Sequence, residues 1–149
     1  MVRDAGLHFH HFGLAVHAPE SAFDYLSALG YSSSGPAVFD PLQGVNLAMR
    51  YHISMPAVEV IWPGPEASPI DALLKRKDAL LYHLCYVTAD AAASIAALEA
   101  RGLRVLDVAP HKPAVLFGGT IVSFHHVAGV GLIELIHGHP QGAGSPLEV

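Results

Sequence analysis

The stretch H-F-G-L-A-V at residues 11–16 returns as H-L-C-Y-V-T at residues 83–88. In the first, alternation sets His11, Gly13 and Ala15 on one face of a strand and Phe12, Leu14 and Val16 on the other. The segments after the two stretches also match. After the first, Pro19 suits an opening helical turn. A helix then runs to about Leu29, with Phe23, Leu26 and Leu29 on one stripe and Gly30 as its stop. After the second, Asp90 is a natural N-cap. The helix spans Ala91 to Arg101, with Ala92, Ile95 and Leu98 on its stripe, and Gly102 ends it. His83 lies 72 residues after His11, and Gly102 lies 72 after Gly30. Further on, the offset is 75, from Gly44 to Gly119 and from Glu59 to Glu134. A slightly longer loop in the second half accounts for the change.

The remaining strands fill in a repeat. In the first half they fall at Ala37–Asp40, Val45–Tyr51 and Ala57–Trp62, with Tyr31–Pro36 turn-like and Gln43-Gly44 a turn. In the second half they fall near Val105 and at Val115–Phe117, Thr120–His125 and Gly131–Ile136. The chain thus reads as α+β, two copies of β-α-β-β-β. The expected limits are 8–62 for the first module, 63–80 for a linker with a short helix, and 81–137 for the second module. Residues 138–149 form a mobile tail rich in Gly and Pro. Pro63 to Pro69 breaks any regular element, and Ser68 with Asp71 forms a capping box for the helix from Pro69 to about Lys77. One four-stranded module has open edges and half a core, and pairing two supplies both deficits.

Composition bounds the function. Hydrophobic residues make up 52% and charged residues 14%, enough for a sizeable core and too apolar for disorder. Net charge is −5 with 8 Lys and Arg, so no basic block tracks a phosphate backbone and nucleic acid is not an expected partner. No apolar run reaches the roughly 20 residues that span a bilayer. The N-terminal residues lack a signal-peptide h-region, and one cysteine excludes an internal disulfide. Both fit a cytoplasmic location. The unusual number is 11 His, because imidazole is the commonest protein metal ligand.

In each copy a His opens the first strand and a Glu lies in the last, Glu59 in V-E-V-I and Glu134 in I-E-L-I. Two modules about a pseudo-twofold axis bring His11, Glu59, His83 and Glu134 to one point. Two imidazoles and two carboxylates suit one divalent ion such as Zn, Co, Ni, Mn or Fe. A Glu in an alternating strand ordinarily faces solvent, and a lone His is ordinarily hydrogen-bonded structure. The recurrence of all four in register outweighs both readings. Gly13, Ala15 and Cys85 share the His face. Their small side chains either leave a cavity beside the metal or permit close sheet packing.

On H-H-F-G-L-A-V (10–16), Q-G-V (43–45), V-E-V-I-W-P (58–63), S-P-I (68–70), Y-H-L-C-Y-V (82–87) and G-L-I-E-L-I (131–136), the chain resembles the vicinal oxygen chelate superfamily. The closest resemblance is to its methylmalonyl-CoA epimerase and glyoxalase branch. The resemblance implies two paired βαβββ modules in an eight-stranded, cup-shaped mixed sheet with helices outside. It also gives the quartet the four ligand positions of one metal. Its shared chemistry is bidentate binding of a substrate or intermediate through two nearby oxygens, and a Lewis-acid metal there stabilises the enolate formed when a proton next to a carbonyl is removed. The epimerases of this branch carry a catalytic Glu immediately before Q-G-V, where this chain has Leu42. Epimerisation needs an acid/base group on each face of the enolate. Glu134 remains as a base. Asp40, with the parity of Leu42, is a second candidate, although a turn with Pro41 is its more ordinary role.

Arg50, Cys85, Lys112, Ser123 and His125 are the candidate substrate-pocket residues. The reading is therefore a metal-dependent isomerase, epimerase or lyase acting on a small acid, acyl thioester or thiol adduct, in a homodimer. Two alternatives stand beside it. One is a binding protein of the resistance type. The other is an Fe(II) dioxygenase, which needs an open triad of two His and one carboxylate and is disfavoured by a fourth ligand at Glu59.

Overall fold

The structure, a computed structural model, describes residues 4–139. The expected tail falls largely outside them. The fold is α+β, built from mixed sheet and few helices. Two compact units divide it, one of residues 11–82 and one of the residues up to 10 together with those from 83 onward.

In the first unit, β1 (His8–Val16) runs parallel to β5 (Ala57–Pro63), with Gly13 opposite Glu59. Strand β4 (Val45–Tyr51) lies antiparallel on the other side of β5. Between β1 and the rest comes α1 (Glu20–Ala28), whose Phe23 and Leu26 pack on Leu14 and Val16 of β1 and on Val58, Val60 and Trp62 of β5. Leu29, the third residue of the expected stripe, is exposed. The helix stops as expected. Gly30 takes φ +95°, and the Tyr31 N–H donates to the Leu26 carbonyl, the closing bond of a Schellman motif. The linker helix α2 (Asp71–Leu74) belongs to this unit and is anchored by buried Ile70 and Leu74, but it is shorter than the expected Pro69–Lys77, and its N-cap is Ile70, with no side-chain cap in place of the expected capping box. The Ser68 N–H donates to Asp71 Oδ2 at 2.8 Å.

The second unit repeats the plan. Strand β6 (Ala79–Thr88) runs parallel to β10 (Gly131–His137), with Cys85 opposite Glu134, and β9 (Thr120–Val127) lies antiparallel on the other side of β10. Helix α3 (Ala91–Glu99) is capped by Asp90, whose Oδ1 accepts from the Ala93 N–H. Its buried stripe centres on Ser94 rather than Ala92, because the Ser94 hydroxyl meets Thr88 Oγ1 at 2.7 Å. Gly102, at φ +84°, ends the turn as Gly30 does.

The β-α-β-β-β plan has four strands per unit, and the structure has five, two of them short. In the first unit β2 (Ser32–Ser33) and β3 (Val38–Asp40) both pair with β4, opposite Tyr51–Arg50 and Leu47–Val45 respectively. They are two pieces of one interrupted edge strand, and Ser32–Ser33 is the piece that falls inside the expected turn. In the second unit β7 (Val105–Asp107) and β8 (Lys112–Ala114) divide the edge of β9 in the same way. Val115–Phe117, expected as a strand, is a 3₁₀ turn closed by Gly118 at φ +65°. The strand register is already spent at Ala114, and the chain must reverse into β9 at Thr120. Among the described residues no helix is long and apolar enough to cross a membrane.

One glycine is required by contact rather than by φ. A Cβ on Gly64 would stand 2.6 Å from a Phe39 ring carbon and 2.9 Å from the Gly44 carbonyl oxygen. Gly64→Ala is therefore expected to cost about 1–3 kcal/mol, read as a lowered urea midpoint with an unchanged slope.

Candidate metal centre

Strand alternation builds the same pair in each unit. In β5, Val58, Val60 and Trp62 face α1, which turns Glu59 to the opposite face. Its neighbour across the parallel ladder is Gly13, which presents no side chain. His11, two residues earlier on the same face of β1, supplies the partner, its Nε2 3.6 Å from Glu59 Oε1. In β10, Ile133 and Leu135 pack toward α3 with Ile95 and Val105, and Glu134 faces away. Its ladder neighbour is Cys85, also small, and His83 Nε2 lies 3.3 Å from Glu134 Oε1. Glu59 is 3% and Glu134 2% exposed, and both His are buried. The edge of the Phe124 ring meets His83, with centroids 5.6 Å apart and planes at 81°.

The donor set fits a metal. Two donors each about 2.1 Å from one ion, at tetrahedral to octahedral angles, stand about 3.0–3.4 Å apart. Each His–Glu separation is near that spacing and longer than the usual N–H···O hydrogen bond of about 2.7–3.2 Å.

The other candidates divide between the two faces of the sheets. Cys85 is buried on the His83 face among Val87, Val122 and Ile136, and Lys112 shares the parity of Ala114 in that cluster. Asp40 is buried in the face of Leu47 and Val45, but its carboxylate is committed to the turn. Oδ1 accepts from the Leu42 and Gln43 N–H groups, and Oδ2 accepts from the Gln43 side-chain amide. Arg50, Ser123 and His125 lie on the helix-covered faces instead. The Arg50 guanidinium sits 3.9 Å above the Phe23 ring of α1, and burial lowers its pKa. His125 bonds Asp107 and Ser123 beside a groove lined by Ala92, Ile95 and Glu99 of α3.

Two residues on the Glu59 face escaped the sequence reading. Met49 lies directly opposite Glu59. Tyr51, two residues on, has its phenol pKa raised by burial and by the Glu59 charge, against a hydrogen bond from Ser34 that lowers it. The alternation from Val45 was the available signal for both.

The family model of the glyoxalase/bleomycin resistance protein/dioxygenase superfamily matches residues 10–124. The chain belongs to that superfamily, the vicinal oxygen chelate proteins. Among solved structures, methylmalonyl-CoA epimerase from Mycobacterium tuberculosis is similar at 22% identity and a TM-score of 0.74, over 97% of this chain and 97% of that one. A selenomethionine methylmalonyl-CoA epimerase is 26% identical with a TM-score of 0.68, over 91% and 97%. A variant of the Streptomyces coelicolor methylmalonyl-CoA epimerase, in complex with 2-nitronate-propionyl-CoA, is 23% identical with a TM-score of 0.68, over 87% and 96%. No curated protein matches the chain.

The placement of Arg50 has a measurable consequence. Arg50→Ala is expected to lose about 0.5–1 kcal/mol of stability with its ring contact, read by urea unfolding, and to leave metal content unchanged.

Proposed function

We propose that His11, Glu59, His83 and Glu134 hold one divalent ion, and that the chain is an enzyme that removes a proton next to the carbonyl of a small acyl thioester. The observation that supports this most is the repeated pair, a buried His Nε2 and Glu Oε1 at 3.6 Å in one unit and 3.3 Å in the other. Without a positive partner two such carboxylates are expensive to bury. An ion bound there supplies positive charge beside a substrate carbonyl and favours its enolate.

The chain's own residues set what can be done with the proton. Glu134 is the base in this reading, a buried carboxylate on the face of β10 opposite to Ile133 and Leu135. Asp40 is tied by three hydrogen bonds as the start of a turn and does not serve as a second base. Leu42, half-exposed on the rim of a groove with Phe39 and Gln43, offers no proton. One base acting on one face favours exchange, isomerisation or elimination over inversion. The thioester is the favoured substrate class because solved relatives are methylmalonyl-CoA epimerases, one in complex with a nitronate-propionyl-CoA.

Metal analysis of protein purified without added metal is expected to give about one divalent ion per chain, and His83→Ala or Glu134→Gln to weaken retention at least about tenfold. No uptake, or uptake indifferent to both variants, overturns the metal centre. With the metal-loaded protein, deuterium from solvent is expected to enter acyl thioesters at the carbon next to the carbonyl. Metal binding without such exchange sinks the proton-transfer reading in favour of a binding protein.

A further inference from the structure

The helix-covered face of the second unit holds another polar cluster, distinct from the His83–Glu134 pair. Asp107 ends β7, Ser123 and His125 share one face of β9, and His137 ends β10. His125 Nδ1 lies 2.7 Å from Asp107 Oδ1, and His125 Nε2 lies 2.8 Å from Ser123 Oγ. The same Ser123 Oγ lies 2.7 Å from His137 Nε2. His111, from the loop between β7 and β8, stands edge-on to both rings, with centroids 6.2 Å from His125 and 5.1 Å from His137. Ser123 is fully buried and His125 nearly so, while the Asp107 carboxylate reaches solvent.

Hydrogen-bond valence limits how many protons this chain of bonds can hold. An ionised Asp107 only accepts, so His125 Nδ1 donates to it. A hydroxyl has one hydrogen, so Ser123 donates to one imidazole and must accept from the other. In one arrangement Ser123 donates to His125 Nε2 and accepts the N–H of His137. In the other, His125 donates to Ser123 and Ser123 donates to His137. The first leaves both rings neutral, whereas the second makes His125 a cation and so already holds one added proton. A single added proton fits either arrangement with every bond kept. It rests on His137 at its outer nitrogen or on His125 beside Asp107. With a second added proton both rings present an N–H to Ser123, and the buried hydroxyl hydrogen loses its acceptor.

We propose that Asp107, His125, Ser123 and His137 form a relay with room for one added proton, and that a second drives the His137 ring off Ser123, making this end of β10 acid-sensitive. Five titratable groups face one another here. They are Asp107 of β7, His111 of the loop, His125 of β9, His137 of β10, and Glu99 of α3, which lines the same groove. His137 itself is held below the ordinary His pKa by burial, then by the charges of His111 and His125. A base depressed on folding binds protons more readily in the unfolded chain. Its contribution to stability is therefore present above about pH 6.5 and lost as the pH falls through its folded value.

Nitrogen-15 NMR titration of the imidazoles in the full chain tests the relay. The ring signals of His125 and His137 are expected to move together in a first step. The second step should follow at a proton concentration at least about tenfold higher, with His137 Nε2 shifting to the value of a solvated ring. Ser123→Ala should uncouple the rings into separate single steps. Asp107→Asn, at an exposed carboxylate, should move the first proton from His125 to His137, and it carries the test if Ser123→Ala does not fold. Independent curves for the two rings, with midpoints closer than tenfold and indifferent to Ser123→Ala, overturn the relay. So does an Asp107→Asn variant in which the His137 signals titrate as before.

Discussion

A carboxylate buried in an apolar strand is the constraint on which each unit depends. Glu59 and Glu134 sit among Val, Ile and Leu, and strand alternation gives them no freedom to follow their neighbours toward the helix. Turned to the other face, each is cut off from water and needs a compensating group. The parallel ladder answers this locally. A small residue stands opposite the Glu, Gly13 in one unit and Cys85 in the other, and the His two places before it brings its Nε2 close. The helix face and the polar face are thus two results of one register. A one-residue slip would exchange them and bury the wrong set.

Much of this was legible in the sequence because it is periodic. The step from His11 to His83 and from Gly30 to Gly102 gives the duplication. Gly30 and Gly102 do adopt the left-handed turn that stops a helix. The His and Glu pairs were legible for the same reason, since each lies inside a long strand whose parity is set by several apolar neighbours. Membership of the superfamily rests on residues 10–124, which take in every stretch that carried the resemblance except G-L-I-E-L-I at 131–136.

The parts that could not be read are those where parity depends on a partner strand. His125 and His126 are adjacent, and only the register of β9 against β10 decides that His125 turns toward α3. Arg50 occupies the equivalent place in the first unit, and its stacking on Phe23 is a contact across elements that no local pattern reports. Val115–Phe117 looks as apolar as a strand, yet the edge of β9 is already occupied through Ala114 and the chain spends those residues on a 3₁₀ turn. Asp40 shows competition of another kind. The turn after it captures both carboxylate oxygens, which a reading of spacing alone cannot weigh against catalysis.

The interrupted edges have a further meaning for the life of the molecule at high concentration. An unbroken outer strand offers a row of free amides and carbonyls on which a neighbouring chain can crystallise a new strand. Here the outer rail of each unit is cut into pieces of two or three residues, with a loop between them. Pro113 lies within one piece and cannot donate. A chain this rich in apolar residues carries a standing risk of fibril growth, and its rails are too short to template one.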